Sequence, residues 1–229
     1  MKIIYIVLLS LFTLPLFGQA GISTSYQNVN PKLWKSWTGQ QNLFDDSYEF
    51  GIDYWFRLKN YRVEFTPQVY HYRWSTETPN YVGYRLRSTG FAANTNLYIF
   101  DFIGDCDCPT FSKDGTFISK GFHLSLAPVV EYLSLENFTD IAGEGTEDKM
   151  VVYGIKVGAG LDIGINDLLT LTPFVRYKYM PSVDWEGLAA INIDENAEYE
   201  TANLGFLQFG VRLGLRPDYV REQNKYRFR

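Results

Sequence analysis

Apolar and polar residues alternate with a period of two through most of this chain. Across residues 151–165 one parity holds Val151, Tyr153, Ile155, Val157, Ala159, Leu161, Ile163 and Ile165, and the other holds Val152, Gly154, Lys156, Gly158, Gly160, Asp162 and Gly164. Side chains alternate across a strand, so one face is apolar and the opposite face is small, glycine-rich and charged. After Asn166-Asp167 the pattern resumes with Leu169, Leu171, Pro173, Val175, Tyr177 and Tyr179 against Thr170, Thr172, Phe174, Arg176 and Lys178, which predicts a hairpin with a tight turn. A second hairpin turns at Lys59-Asn60. It sets Tyr48, Phe50, Ile52, Tyr54, Phe56 and Leu58, then Tyr61, Val63, Phe65, Pro67 and Val69, against Glu49, Gly51, Asp53, Trp55 and Arg57, then Arg62, Glu64, Thr66, Gln68 and Tyr70. Further strands are predicted over 91–101, 122–132 and 207–216, and a short first strand over 21–27 brings the number to eight.

Eight such strands close as an antiparallel up-and-down barrel, and the distribution of charge decides which face is outside. The polar parity carries Glu49, Asp53, Arg57, Arg62, Glu64, Glu131, Lys156, Asp162, Arg176, Lys178, Arg212 and Arg216. A charge at the middle of a bilayer costs on the order of 2 to 4 kcal/mol, so these residues line the interior of a transmembrane barrel whose uninterrupted apolar parity faces lipid. A soluble exported ligand-binding barrel reads the same alternation the other way round, but its pocket is apolar. Strand lengths of about ten residues match a tilted bilayer crossing. Aromatic residues near strand ends suggest interfacial girdles, with Trp34, Trp37, Trp74, Tyr132, Tyr179 and Trp185 on one side and Tyr61, Phe100, Phe102 and Tyr219 on the other.

The first residues fit this export route. Lys2 precedes an apolar run that ends at Gly18-Gln19-Ala20, too short for a membrane helix and typical of a signal peptide. The expected organisation is a cleaved signal over 1–19, the barrel over 20–219 and a basic tail over 220–229. Short turns belong to the periplasmic side and long connections to the outside. That puts both termini in the periplasm and the connections 29–47, 74–87, 135–150 and 182–202 outside. One periplasmic connection, 103–120, is long and contains both cysteines.

The three Pro-containing repeats Phe65-Thr66-Pro67-Gln68-Val69, Leu126-Ala127-Pro128-Val129-Val130 and Leu171-Thr172-Pro173-Phe174-Val175 fall on strands running the same way. Proline removes a ladder hydrogen bond, so bends or bulges are expected there. The net charge of −5 excludes a nucleic-acid partner recognised through phosphate. Asp105-Cys106-Asp107-Cys108 could form a strained disulfide or a weak soft-metal site, although a structured turn is the simpler account. No cofactor is implied. Only His71 and His123 are present; parity puts one toward lipid and the other inside, so no nucleophile–base pair and no enzyme activity are expected.

Together the leader, the alternation and the loop asymmetry make the chain resemble the small eight-stranded outer-membrane barrels of the OmpA/OmpX type, common in Bacteroidota. It departs from them in lacking a following peptidoglycan-binding domain and in ending on a basic tail rather than an aromatic residue. The resemblance implies residence in a Gram-negative cell envelope, in contact with outer-membrane lipid and lipopolysaccharide. An interior of paired charge predicts a plugged barrel with a structural or interaction role. Surface loops would bind a ligand or partner, and the long turn and tail would dock an envelope or secretion component. A narrow porin-like channel for small solutes is the competing reading.

Overall fold

The structure, a computed structural model, describes residues 19–29, 47–58, 61–77, 82–100, 118, 121–139, 146–166, 168–184 and 202–215. Its strands are β1 (Gln19–Val29), β2 (Ser47–Arg57), β3 (Val63–Glu77), β4 (Val82–Leu97), β5 (Phe122–Thr139), β6 (Thr146–Leu161), β7 (Ile163–Gly164), β8 (Leu169–Val183) and β9 (Ala202–Leu215). The two-residue β7 continues β6 beyond Asp162, which makes eight staves. Each stave pairs antiparallel with its neighbour in the chain, β6 pairs with β8, and β9 returns to β1, so the sheet closes.

Closure explains why this sequence tolerates such an exterior. Ile52 and Tyr153 are each 68% exposed and Phe50 is 63% exposed, and exposed Ile22, Val69, Phe91, Val130, Val157, Val175, Phe209 and Val211 continue the band around the wall. Soluble proteins rarely present so continuous an apolar surface, whereas a lipid-immersed barrel requires it. The alternation therefore holds in the orientation the charges demand.

Two tight turns define one end. Leu58 N–H donates to Val63 O across the first, and in the second the Asn166 side-chain carbonyl accepts from the Leu168 and Leu169 N–H groups at 2.8 Å each. At the opposite end the structure differs from expectation. The spans 74–87 and 135–150 are not long loops, because β3 runs to Glu77, β4 starts at Val82, β5 runs to Thr139 and β6 starts at Thr146. The strand expected over 91–101 accordingly begins nine residues earlier. The sequence obscured this because these extensions carry charge on their outer face, where the strands within the lipid band carry hydrophobic residues.

The prolines sit at interruptions of the ladder, with no bulge. Pairing of β2 with β3 skips from Asp53↔Gln68 to Phe56↔Phe65, opposite Pro67. That of β4 with β5 skips from Ala92↔Val129 to Thr95↔Leu126, opposite Pro128. Pairing also skips Leu161 and Asp162, opposite Pro173. Register is the same on both sides of each gap, so the missing N–H costs hydrogen bonds locally without inserting a residue. Among the described residues a register shift does occur between β8 and β9, at Met180 and Val183.

The cysteines, the leader, the basic tail and Trp34, Trp37, Trp185, Phe102 and Tyr219 lie outside the described residues.

Candidate functional site

The interior of the barrel is a stack of polar clusters, each anchored by a carboxylate. Nearest the tight turns, the single Tyr98 hydroxyl is shared between the carboxylates of Asp162 and Glu64, while Asp162 also accepts from Thr172 Oγ1 and Glu64 from the Trp55 indole N–H. The Arg62 guanidinium lies 4.1 Å from the Tyr98 ring centre, and the His123 ring packs against the same tyrosine. Above them Asp53 takes both Nε and an NH2 group of Arg212, the paired geometry that suits guanidinium and carboxylate. Gly21 and Gly214 leave room for that arginine, since a Cβ on either would meet its guanidinium.

Two lysines occupy the middle. Lys156 Nζ lies 3.0 Å from Glu49 Oε1 and 3.6 Å above the Tyr70 ring, and the Gln208 and Gln27 amides donate to Glu49 Oε2. Lys178 Nζ lies 2.7 Å from Glu131 and 4.1 Å from the Tyr72 and Phe206 ring centres. Glu131 also accepts from Tyr70, Tyr72 and Ser88. Glu131 and Lys178 are completely buried, and charges so placed need this number of partners.

Of the twelve expected interior charges, Glu49, Asp53, Arg62, Glu64, Glu131, Lys156, Asp162, Arg176 and Lys178 are buried inside and Arg212 is part-buried with Asp53. The Arg57 side chain and Arg216 lie outside the description. The ten described are five acids and five bases.

An apolar layer above Glu131 was missed. Trp74, Leu86, Leu133, Leu135, Met180 and Leu204 fill the barrel beneath the long connections, together with Val29, Val152, Val183 and Phe206. Trp74, expected in the outer girdle, is 2% exposed and stacks on Phe206 at 5.1 Å between ring centres. Its parity was the available signal, since Tyr70, Tyr72 and Trp74 are alternate residues of one strand. Tyr132, Tyr179, Tyr61 and Phe100 do face outward. His71 is on the outer face, bonded to Thr89 Oγ1 at 3.0 Å, while His123 is 1% exposed on the inner face. The wall separates the two rings. Among the described residues no group of three or more His, Cys, Asp or Glu is placed to hold a metal.

No protein-family model matches the chain, and no curated protein does. Similar solved structures include Ail, the attachment invasion locus protein of Yersinia pestis, in complex with the heparin analogue sucrose octasulfate. It is 10% identical over 86% of this chain and 98% of that one, with a TM-score of 0.45. The N-terminal β-barrel domain of Pseudomonas aeruginosa OprF is 12% identical over 86% and 98%, at 0.37. The outer membrane protease OmpT from Escherichia coli is 12% identical over 74% and 62%, at 0.33. The architecture of this chain rests on its own strand pairing.

Proposed function

We propose that this chain is an outer-membrane barrel, filled rather than open, that works by binding a partner above the membrane. The tight turns and both termini lie in the periplasm in this reading, following the general rule that such barrels keep their short turns inside. A filled interior disfavours the channel, and the apolar exterior disfavours the soluble barrel.

The observation that carries the binding role is the parting of β6 from β8. Their pairing stops at Ile155↔Tyr179, although β6 continues to Thr146 and β8 to Val183. Among the described residues nothing pairs with the β8-facing side of 146–154, and the far part of that edge, 146–150, projects beyond the band of lipid-facing residues that ends at Val151. The opposing edge carries Pro181, which cannot donate; the β6 edge has no proline. An unpaired edge is a template for an added strand.

The test displays the chain on cells and scores their retention on protein-coated surfaces, comparing Glu147→Pro with Asp148→Pro. Successive N–H groups point to opposite sides of a strand, so one proline removes a donor from the open edge and the other from the β5 ladder. Loss of retention in one variant, with both keeping heat-dependent gel mobility, is the expected result; equal retention in both overturns the reading. Labelling of a cysteine placed at residue 79 in intact cells checks the orientation separately.

A further inference from the structure

On the outer face, the rows of paired residues across β3, β4, β5 and β6 change character in order. Val69, Phe91, Val130 and Tyr153 form an apolar row, followed by His71, Thr89, Tyr132 and Val151. Next come Arg73, Arg87, Ser134 and Lys149, and beyond them Ser75, Arg85, Glu136 and Glu147. Cations thus come first above the lipid-facing band, and carboxylates only after them.

Pairing within this patch is incomplete. Arg85 and Arg87 share Glu136 at 2.8 and 3.0 Å, and Lys149 holds Glu147 at 2.7 Å. Arg73 stands directly opposite Arg87, and among the described residues no carboxylate pairs with it. Like charges facing each other across an antiparallel pair destabilise it unless an anion lies between them. Both arginines are exposed on the outer face.

Directly beneath this pair the barrel wall carries a groove of about 580 Å³, a volume in the range of small-molecule sites. Thr24, Phe50, Ile52 and Val69 line it, and His71 and Thr89 stand at its upper end. It exists because Thr24, half-buried on β1, is small between its paired neighbours Phe50 and Val211, leaving a trough in an otherwise bulky wall. Arg73 and Arg87 are the next outward-facing positions beyond His71 and Thr89 on the same two strands.

We propose that this juxtaposition is a binding site for a phosphorylated lipid of the outer leaflet, with an acyl chain in the groove and the headgroup phosphate between Arg73 and Arg87. The groove opens onto the face that already meets lipid, so its occupant comes from the bilayer. The two guanidiniums supply the fork geometry that phosphate oxygens accept. The proposal rests on the transmembrane reading and, for the leaflet, on the orientation with the tight turns in the periplasm, and on no assumption about a partner at the β6 edge.

The test is native mass spectrometry of the full chain in detergent, offered a bisphosphorylated glycolipid, the same glycolipid with its phosphates removed, or inorganic pyrophosphate. Micelles present lipid to both ends, so an error in orientation leaves the result unchanged, and heat-dependent gel mobility reports separately whether the barrel is folded. The expected result is retention of the phosphorylated lipid, about tenfold weaker retention in Arg73→Gln/Arg87→Gln, and weaker retention in the groove-filling variant Thr24→Trp. Pyrophosphate should bind more weakly than the lipid and be indifferent to Thr24→Trp. Unchanged retention in the arginine variant, or equal retention of the dephosphorylated lipid, overturns the phosphate site. Unchanged retention in folded Thr24→Trp overturns the groove.

Discussion

Glu131 gathers donors from three strands: Tyr70 and Tyr72 on β3, Ser88 on β4 and Lys178 on β8. Truncating it to alanine leaves a buried ammonium without its counter-ion, a loss of about 3 to 5 kcal/mol. Urea unfolding in lipid vesicles, followed by tryptophan fluorescence, should show that drop for Glu131→Ala. Combining Glu131→Leu with Lys178→Met should recover part of it, since the stranded charge is then gone. Glu147 behaves differently because it is exposed and lies beyond the lipid-facing band. Its carboxyl is held below the usual range by hydrogen bonds from Lys149 and Ser134. A depressed folded pKa means a contribution that is present above the unfolded value and fades as pH falls through the folded one. Lys149→Ala should therefore move the Glu147 titration upward, as read by NMR of the side-chain carboxyl carbon, and should reduce that small acid sensitivity, with the Ser134 hydrogen bond keeping the remainder.

At the scale of strands, glycine positions rank the tightness of the wall. A Cβ at Gly158 would meet the Val175 backbone oxygen at 2.3 Å, whereas at Gly214 it would meet a side-chain atom, the Arg212 Nη1 that Asp53 does not hold, at 2.7 Å. Gly158→Ala should cost about 1 to 3 kcal/mol and Gly214→Ala clearly less, measured by the same urea transitions. The inner and outer faces of β2, β5, β6, β8 and β9 were legible in the sequence because a period of two leaves no alternative parity once charge is assigned to the inside. The extensions of β3 to β6 were not. Arg73, Arg85, Arg87 and Lys149 occupy outward positions that would be apolar within lipid, so the alternation disappears where the strands leave it. The ion pairs were legible only as a balance of signs. Which acid meets which base depends on the stagger of the staves around the barrel, and the single-strand pattern does not contain that stagger.

For the molecule as a whole, charge pairs below and Trp74, Leu133, Met180 and Phe206 above, all buried in the interior, favour the plugged reading over the porin one. Reconstituted into a planar bilayer, the chain should produce no stepwise current; regular single-channel steps would restore the porin reading. The ion pairs also constrain biogenesis. Lys156 and Glu49 are separated by 107 residues, and Arg212 and Asp53 by 159. Neither pair can form while the chain is a partly assembled ribbon, and an open ribbon entering the membrane would carry those charges bare, at about 2 to 4 kcal/mol for each of Lys156 and Arg212 near the midplane and less for each carboxylate. Insertion and closure are therefore expected to be coupled for this chain: β9 supplies the guanidinium that neutralises Asp53 of β2, and a ribbon not yet closed across β1 and β9 keeps both charges unpaired.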